Sequence, residues 1–96
     1  MKKERKKSSA KFAKRTIELR KYMQWTQTEL SISSECPRES ISKIERRITD
    51  PQYSTMESII EKGFQITQKD FFDLEKIPEG LKKRKEYEMK KKNKLK

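Results

Sequence analysis

Charge is spread so unevenly along this chain that only its middle can close around a core. Residues 1–11 carry a net +5 and residues 79–96 a net +6, which leaves 12–78 neutral within a total of +11 over 96 residues. Flanks this rich in lysine repel themselves and offer few apolar side chains, so burial there cannot offset the entropy of ordering. With 30% of residues hydrophobic and 43% charged, the folded part is one small domain with a modest core. The expected division is a basic, flexible N-terminal arm over 1–11, a folded domain over 12–77 and a Lys-rich, solvated tail over 78–96. Two basic flanks on a neutral domain predict a polyanionic partner, with nucleic acid the first choice.

Several function classes fall away on composition. The chain has no His and a single cysteine, Cys36, so it lacks the commonest metal ligand and general base and cannot close an internal disulfide. No Ser-His, Cys-His or metal-ligand cluster can be assembled, and Asp70 and Asp73 read as a polar helix face, so neither an enzyme nor a cofactor or metal site is expected. The basic N-terminus runs into Ser8 and Ser9 and not into an apolar stretch, which predicts a cytoplasmic protein that is neither exported nor inserted. Leu81, Tyr87 and Met89 are too few to form the apolar face of a membrane-surface helix, so no membrane partner is expected.

The middle of the chain reads as helix throughout. Phe12, Thr16, Leu19 and Met23 recur at the spacing of one helical face. Trp25 is followed by Thr26-Gln27-Thr28-Glu29, a capping box in which hydroxyl and carboxylate satisfy free N–H groups at a helix start. Ser33 to Glu35 interrupt the pattern, Pro37 suits the first turn of a new helix, and Ile41 and Ile44 give that helix an apolar edge as far as Arg46. Asp50-Pro51 breaks the chain, and Ser54-Thr55-Met56-Glu57 reads as a second capping box, with Gly63 closing the helix it opens. Thr67 can cap one more, with Asp70 in its first turn and Phe71, Phe72 and Leu74 as its apolar content. The expectation is an all-α fold of five helices without a strand.

Two short helices joined by about four residues have the proportions of a helix-turn-helix. The residues add a likeness. Thr26-Gln27, Glu29-Leu30, then Ile41-Ser42-Lys43-Ile44-Glu45-Arg46, then Pro51, resemble the XRE or lambda-repressor-like family over roughly residues 12–74. That resemblance implies a five-helix DNA-binding domain that acts on double-stranded DNA as a homodimer, with no small-molecule ligand evident.

The resemblance also implies residue roles. Gln27 occupies the position that contacts a phosphate and braces the recognition helix, and Arg46 and Arg47 occupy phosphate positions at the end of that helix. Arg38, Glu39 and Lys43 fall on the base-reading positions, with Ser42 on the same side. Their chemistry agrees, because Arg or Lys can donate to guanine O6 and N7 while Glu can accept from cytosine N4. Arg20 and Glu45 match an ion pair that positions the recognition helix.

Departures from the pattern carry their own expectations. Gln24, Glu35 and Arg47 stand where the family often has Gly, which predicts left-handed backbone there at about 1 kcal/mol each, slightly altered turns and modest stability. Thr16 replaces an apolar residue, Pro37 replaces a Ser cap, and one extra residue lies between Pro51 and Ile66. Cys36, at an apolar position, is expected to be a buried thiol. Phe64, Ile66, Phe71, Phe72 and Leu74 are expected in part to cover a dimer partner.

The functional expectation is a sequence-specific regulator, in the simplest case a repressor, since so short a chain leaves no room for a separate sensing domain. Two rival classes are an antitoxin or other protein-interaction module on the same fold, and a nonspecific nucleic-acid-coating protein run by its lysine arms.

Overall fold

A computed structural model describes the backbone of residues 2–95 and the side chains of 9–91. All regular structure among them is helical. The helices are α1 (Lys2–Tyr22), α2 (Gln27–Ser34), α3 (Arg38–Glu45), α4 (Tyr53–Glu57, continuing as a π-helix over Ser58–Phe64), α5 (Gln68–Phe71) and α6 (Glu79–Leu95). There are six helices, not five, and none is long and apolar enough to cross a membrane.

The face read in α1 is the face that is buried. Phe12, Thr16, Leu19 and Met23 all point into the core. Thr16 sits there because its hydroxyl donates to the Phe12 carbonyl one turn back (2.7 Å), so no polar atom is left without a partner. The arm expected over 1–11 is instead the first turns of this helix, helical from Lys2. Lys, Glu, Arg and Ala are good helix formers, so the helix can extend past its last core contact. The side chains of residues 1–8 lie outside the described residues.

Left-handed caps end the helices. Gln24, Glu35, Arg47 and Gln65 have φ of 61°, 63°, 60° and 61°. At Gln24, the Trp25 N–H donates to the Arg20 carbonyl and the Gln24 N–H to Lys21, both at 3.0 Å. The same pair of bonds recurs at Arg47, from Ile48 to Lys43 and from Arg47 to Ile44. These are regular Schellman turns, so the missing glycines leave the geometry unaltered and their cost is carried as backbone strain. Gln65 is a fourth such site that the sequence did not signal.

The starts follow their caps where caps exist. Thr26 and Glu29 form the reciprocal capping box of α2, and the Thr67 hydroxyl accepts from the Asp70 N–H at the start of α5 (3.1 Å). Pro37 is the N-cap residue of α3, one position ahead of its expected place in the first turn. The second capping box does not form. Following Pro51, the chain turns helical early, with Gln52 at the N-cap and Ser54 already inside α4. Nor does Gly63 end that helix. It lies within the π-helix and meets α2 so closely that an added Cβ would lie 3.0 Å from Leu30 Cδ1 and 3.1 Å from Ser34 Cβ. The wide turn takes up one residue more than an α-helix would over the same rise.

The largest difference from the sequence reading is at the C-terminal end. Residues 79–95 form a helix docked on the domain, with Leu81 fully buried. Arg84 donates to the Gly63 carbonyl (3.0 Å), pairs with Glu88 (3.2 Å) and lies over the Trp25 ring, 4.6 Å from its centroid. The Trp25 indole N–H donates to Glu88 (3.0 Å) while its ring stacks on Phe64 at 5.7 Å. Phe64, Ile66 and Phe71, expected in part at a dimer surface, are core residues of the monomer, whereas Phe72 and Leu74 stay 44% and 52% exposed.

One buried cation joins these parts. Arg15 is 1% exposed, and its guanidinium donates to the carbonyls of Phe71, Asp70 (3.3 Å), Asp73 (2.8 Å) and Lys76 (2.9 Å) and to the Glu18 carboxylate (3.0 Å). It thereby ties α1 to the end of α5 and to the segment that leads into α6. Two stability changes follow. Arg15→Met strands those carbonyls and lowers unfolding free energy by about 3 kcal/mol or more, measured by urea denaturation. Gln24→Gly relieves left-handed strain and raises it by about 0.5–1 kcal/mol, seen as a higher midpoint at unchanged m-value.

Candidate nucleic-acid interface

Helix α3 divides cleanly into two faces. Ile41, Ile44 and Glu45 are buried. Arg38 and Glu39 are exposed and Ser42 and Lys43 half-exposed. At 3.6 residues per turn these four fall within an arc of roughly 140° on one side of the helix. Lys43 lies 3.8 Å from Glu39 one turn away, so the two charges partly neutralise each other on the free surface.

What holds that surface in place is a cluster centred on Glu45. Arg20 in α1 reaches the carboxylate through two parallel bonds, Nε to Oε2 at 2.8 Å and Nη2 to Oε1 at 2.9 Å, while Nη1 donates to the Trp25 carbonyl at 2.8 Å. The side chains are only 14% and 5% exposed. Gln27, the first residue of α2, donates its side-chain amide to Glu45 Oε1 at 2.9 Å. One carboxylate therefore joins α1, α2 and α3, and the Arg20 it holds also fixes the turn after α1. A bidentate charged pair of this kind fixes orientation as well as distance.

Gln27 is thus placed by the fold as a brace. A second amide hydrogen remains on its side chain, and backbone N–H groups of the first turn of α2 have no partner within the helix. Arg46 and Arg47 are exposed just past α3. Arg47 faces a shallow groove shared with Lys11 and Lys14 of α1, floored by Ala10, Ala13 and Ile17. The sequence reading missed those two lysines. Their signal was spacing three apart on α1, on the side of the helix that carries Ala10, Ala13 and Ile17.

Together the free side of α3 and this basic edge form a surface that can donate to anionic oxygens and to acceptor atoms on base edges, with one carboxylate available to accept. Among the described residues, no three His, Cys, Asp or Glu gather in a way that could hold a metal. Cys36 is buried between α2 and α3, its thiol donating weakly to the Ser34 carbonyl at 3.7 Å. No family model, curated protein or solved structure matches this chain.

Removing one partner of the Glu45 cluster leaves the other charge partly buried without compensation. Glu45→Ala is expected to cost about 3 kcal/mol, and the double change Arg20→Met with Glu45→Leu to recover most of it. Thermal and urea unfolding of the three proteins would establish this. A single variant no less stable than the parent would mean that the cluster does not carry the placement of α3.

Proposed function

We propose that this chain is a sequence-specific DNA-binding transcriptional regulator of the lambda-repressor-like kind, acting as a homodimer on a two-fold symmetric operator. The observation that carries this reading is the contrast between the two faces of α3. Its inner face and its end are fixed by Ile41, Ile44 and the Arg20–Glu45–Gln27 cluster, while its outer face presents Arg38, Glu39, Ser42 and Lys43 to solvent. A short helix held so firmly, behind a short brace helix and a three-residue turn, suits insertion into a major groove. Left-handed backbone at Gln24, Glu35 and Arg47, where the resembling family often carries Gly, supports the same assignment.

Within it, Arg38 and Lys43 donate to guanine O6 and N7, Glu39 accepts from cytosine N4, and Ser42 assists. Gln27, Arg46 and Arg47 hold the phosphate backbone and set register. Phe72 and Leu74, left at the surface, are candidates for the contact between two copies. The output we assign is repression by occlusion of a promoter.

Selection of bound sequences from a random duplex library at about 150 mM salt, where purely electrostatic attachment is weakened, is the direct test. The expected result is a two-fold symmetric motif. Retention without a motif would make this a coating protein, and no retention would favour a protein-interaction module. On the selected site, Arg38→Ala and Lys43→Ala should each cost about 1–3 kcal/mol and relax base preference. Equal losses on random DNA would count against base reading, and a reporter that rises on expression would overturn repression.

A further inference from the structure

We infer that α6 is a rigid strut that carries Lys90 and Lys91 onto the duplex backbone flanking α2, so that part of the affinity for DNA comes from a docked helix and not from a loose tail. This rests on the DNA-binding reading above and deepens it. Three residues fix the helix to the domain: Leu81 is buried, Arg84 is bonded to Gly63 and Ser33, and Glu88 accepts from the Trp25 indole. Ser33 lies near the C-terminal end of α2, and Trp25 precedes Thr26, the N-cap of α2. Arg84 and Glu88 both meet the Trp25 side chain, and Lys85 and Lys90 border a groove with Tyr22 at the end of α1, so this part of α6 lies beside the turn that leads from α1 to Gln27.

Beyond that clamp the sequence has no acidic residue, and five lysines follow at 90, 91, 92, 94 and 96. Earlier in the helix the charges are largely engaged. Lys82 pairs with Glu79 at 3.6 Å, Arg84 with Glu88, and Lys85 sits over the Tyr22 ring at 4.2 Å. Lys90 and Lys91 are exposed, Lys91 with its ammonium 5.9 Å from the centre of the exposed Tyr87 ring, a looser contact than that of Lys85. With a rise of about 1.5 Å per residue, Lys91 lies roughly 4–5 Å further along the axis than Glu88. A positive patch beside the turn that leads into α2 complements a run of phosphates on the strand that α2 crosses, and adds to the basic edge formed by Lys11, Lys14 and Arg47. Because the helix is already ordered, its lysines meet phosphate without the loss of chain entropy that a free tail would suffer.

The test measures binding of the full-length protein to its selected duplex as a function of salt. Lys90→Gln with Lys91→Gln should reduce the slope of log K against log salt by about 2 and weaken binding roughly ten- to thirtyfold at about 150 mM. Lys69→Gln with Lys76→Gln, which changes net charge equally on exposed residues elsewhere, should weaken it less than about threefold. Glu88→Ala separates strut from tail. It adds one unit of positive net charge, so a loose tail predicts tighter binding, whereas loss of the clamp predicts binding weaker by roughly threefold or more. Tighter binding by Glu88→Ala, or an unchanged slope in the Lys90 and Lys91 variant, would overturn the strut while leaving the operator reading intact. Failure of the parent protein to bind any duplex would overturn both.

Discussion

The guanidinium of Arg15 is the fixed point to which α5 and the segment leading into α6 are tied. Arginine keeps its charge at any physiological pH, so burying it requires that the surroundings supply acceptors. Here four are main-chain carbonyls, and they come from the last residues of α5 and the turn after it, where carbonyl groups otherwise lack helical partners. Each need answers the other. α5 is only four residues long and could not persist alone, and in the segment after it Phe72 and Leu74 stay exposed, leaving Ile77 to pack against the core. Anchored to α1, that segment delivers Leu81 to the core and sets the line along which α6 departs.

A second ionic cluster performs the corresponding task further along α1, in its last turn. Glu45 sits at the last turn of α3 and draws in Arg20 and Gln27, so the orientation of α3 is set by charged hydrogen bonds while its depth is set by Ile41 and Ile44. This division suits a domain with few apolar residues. Hydrophobic contacts tolerate sliding and small rotations, whereas a bidentate guanidinium–carboxylate pair does not. Arg15 and Arg20, five residues apart on one long helix, thus point to different sides and hold different elements of the chain.

Much of the first four helices could be read from local chemistry. The Phe12, Thr16, Leu19 and Met23 face and the Thr26 and Glu29 cap each depend on residues close in sequence, and such signals are legible one segment at a time, whereas the left-handed sites at Gln24, Glu35 and Arg47 were expected only through the family resemblance. The second capping box at Ser54 failed because Pro51 and Gln52 start the helix earlier, and cap residues inside a helix leave no trace of their demotion in the pattern. α6 was illegible for a different reason. Its core-facing positions are Leu81, Arg84 and Glu88, and two of the three are charged, so a search for apolar periodicity passes over them. Their partners, Trp25, Ser33 and Gly63, are distant in sequence. Arg15 was hidden in the same way, because four of its five acceptors are main-chain carbonyls that any sequence could supply. Of the candidate interface, the residues of α3 were legible, while Lys11 and Lys14 emerge only once α1 lies beside Arg47.

The π-helical turn at Ser58–Phe64 bears on how this chain can change length. In an α-helix every inserted residue rotates all that follows by about 100°, which would swing Phe64 and Ile66 out of the core. A wide turn confines an added residue to a local bulge, and across Ser58–Phe64 it leaves Ile59, Ile60 and Phe64 all buried. The helix is consequently one deletion away from regular α geometry, and loss of a residue within the bulge would leave its flanks in phase. α2 and α3 have no such slack. Eight residues each, with buried and free faces assigned residue by residue, they can vary in side chain but not in number, so indels in descendants of this chain should collect in α4 and in the ends of α1 and α6.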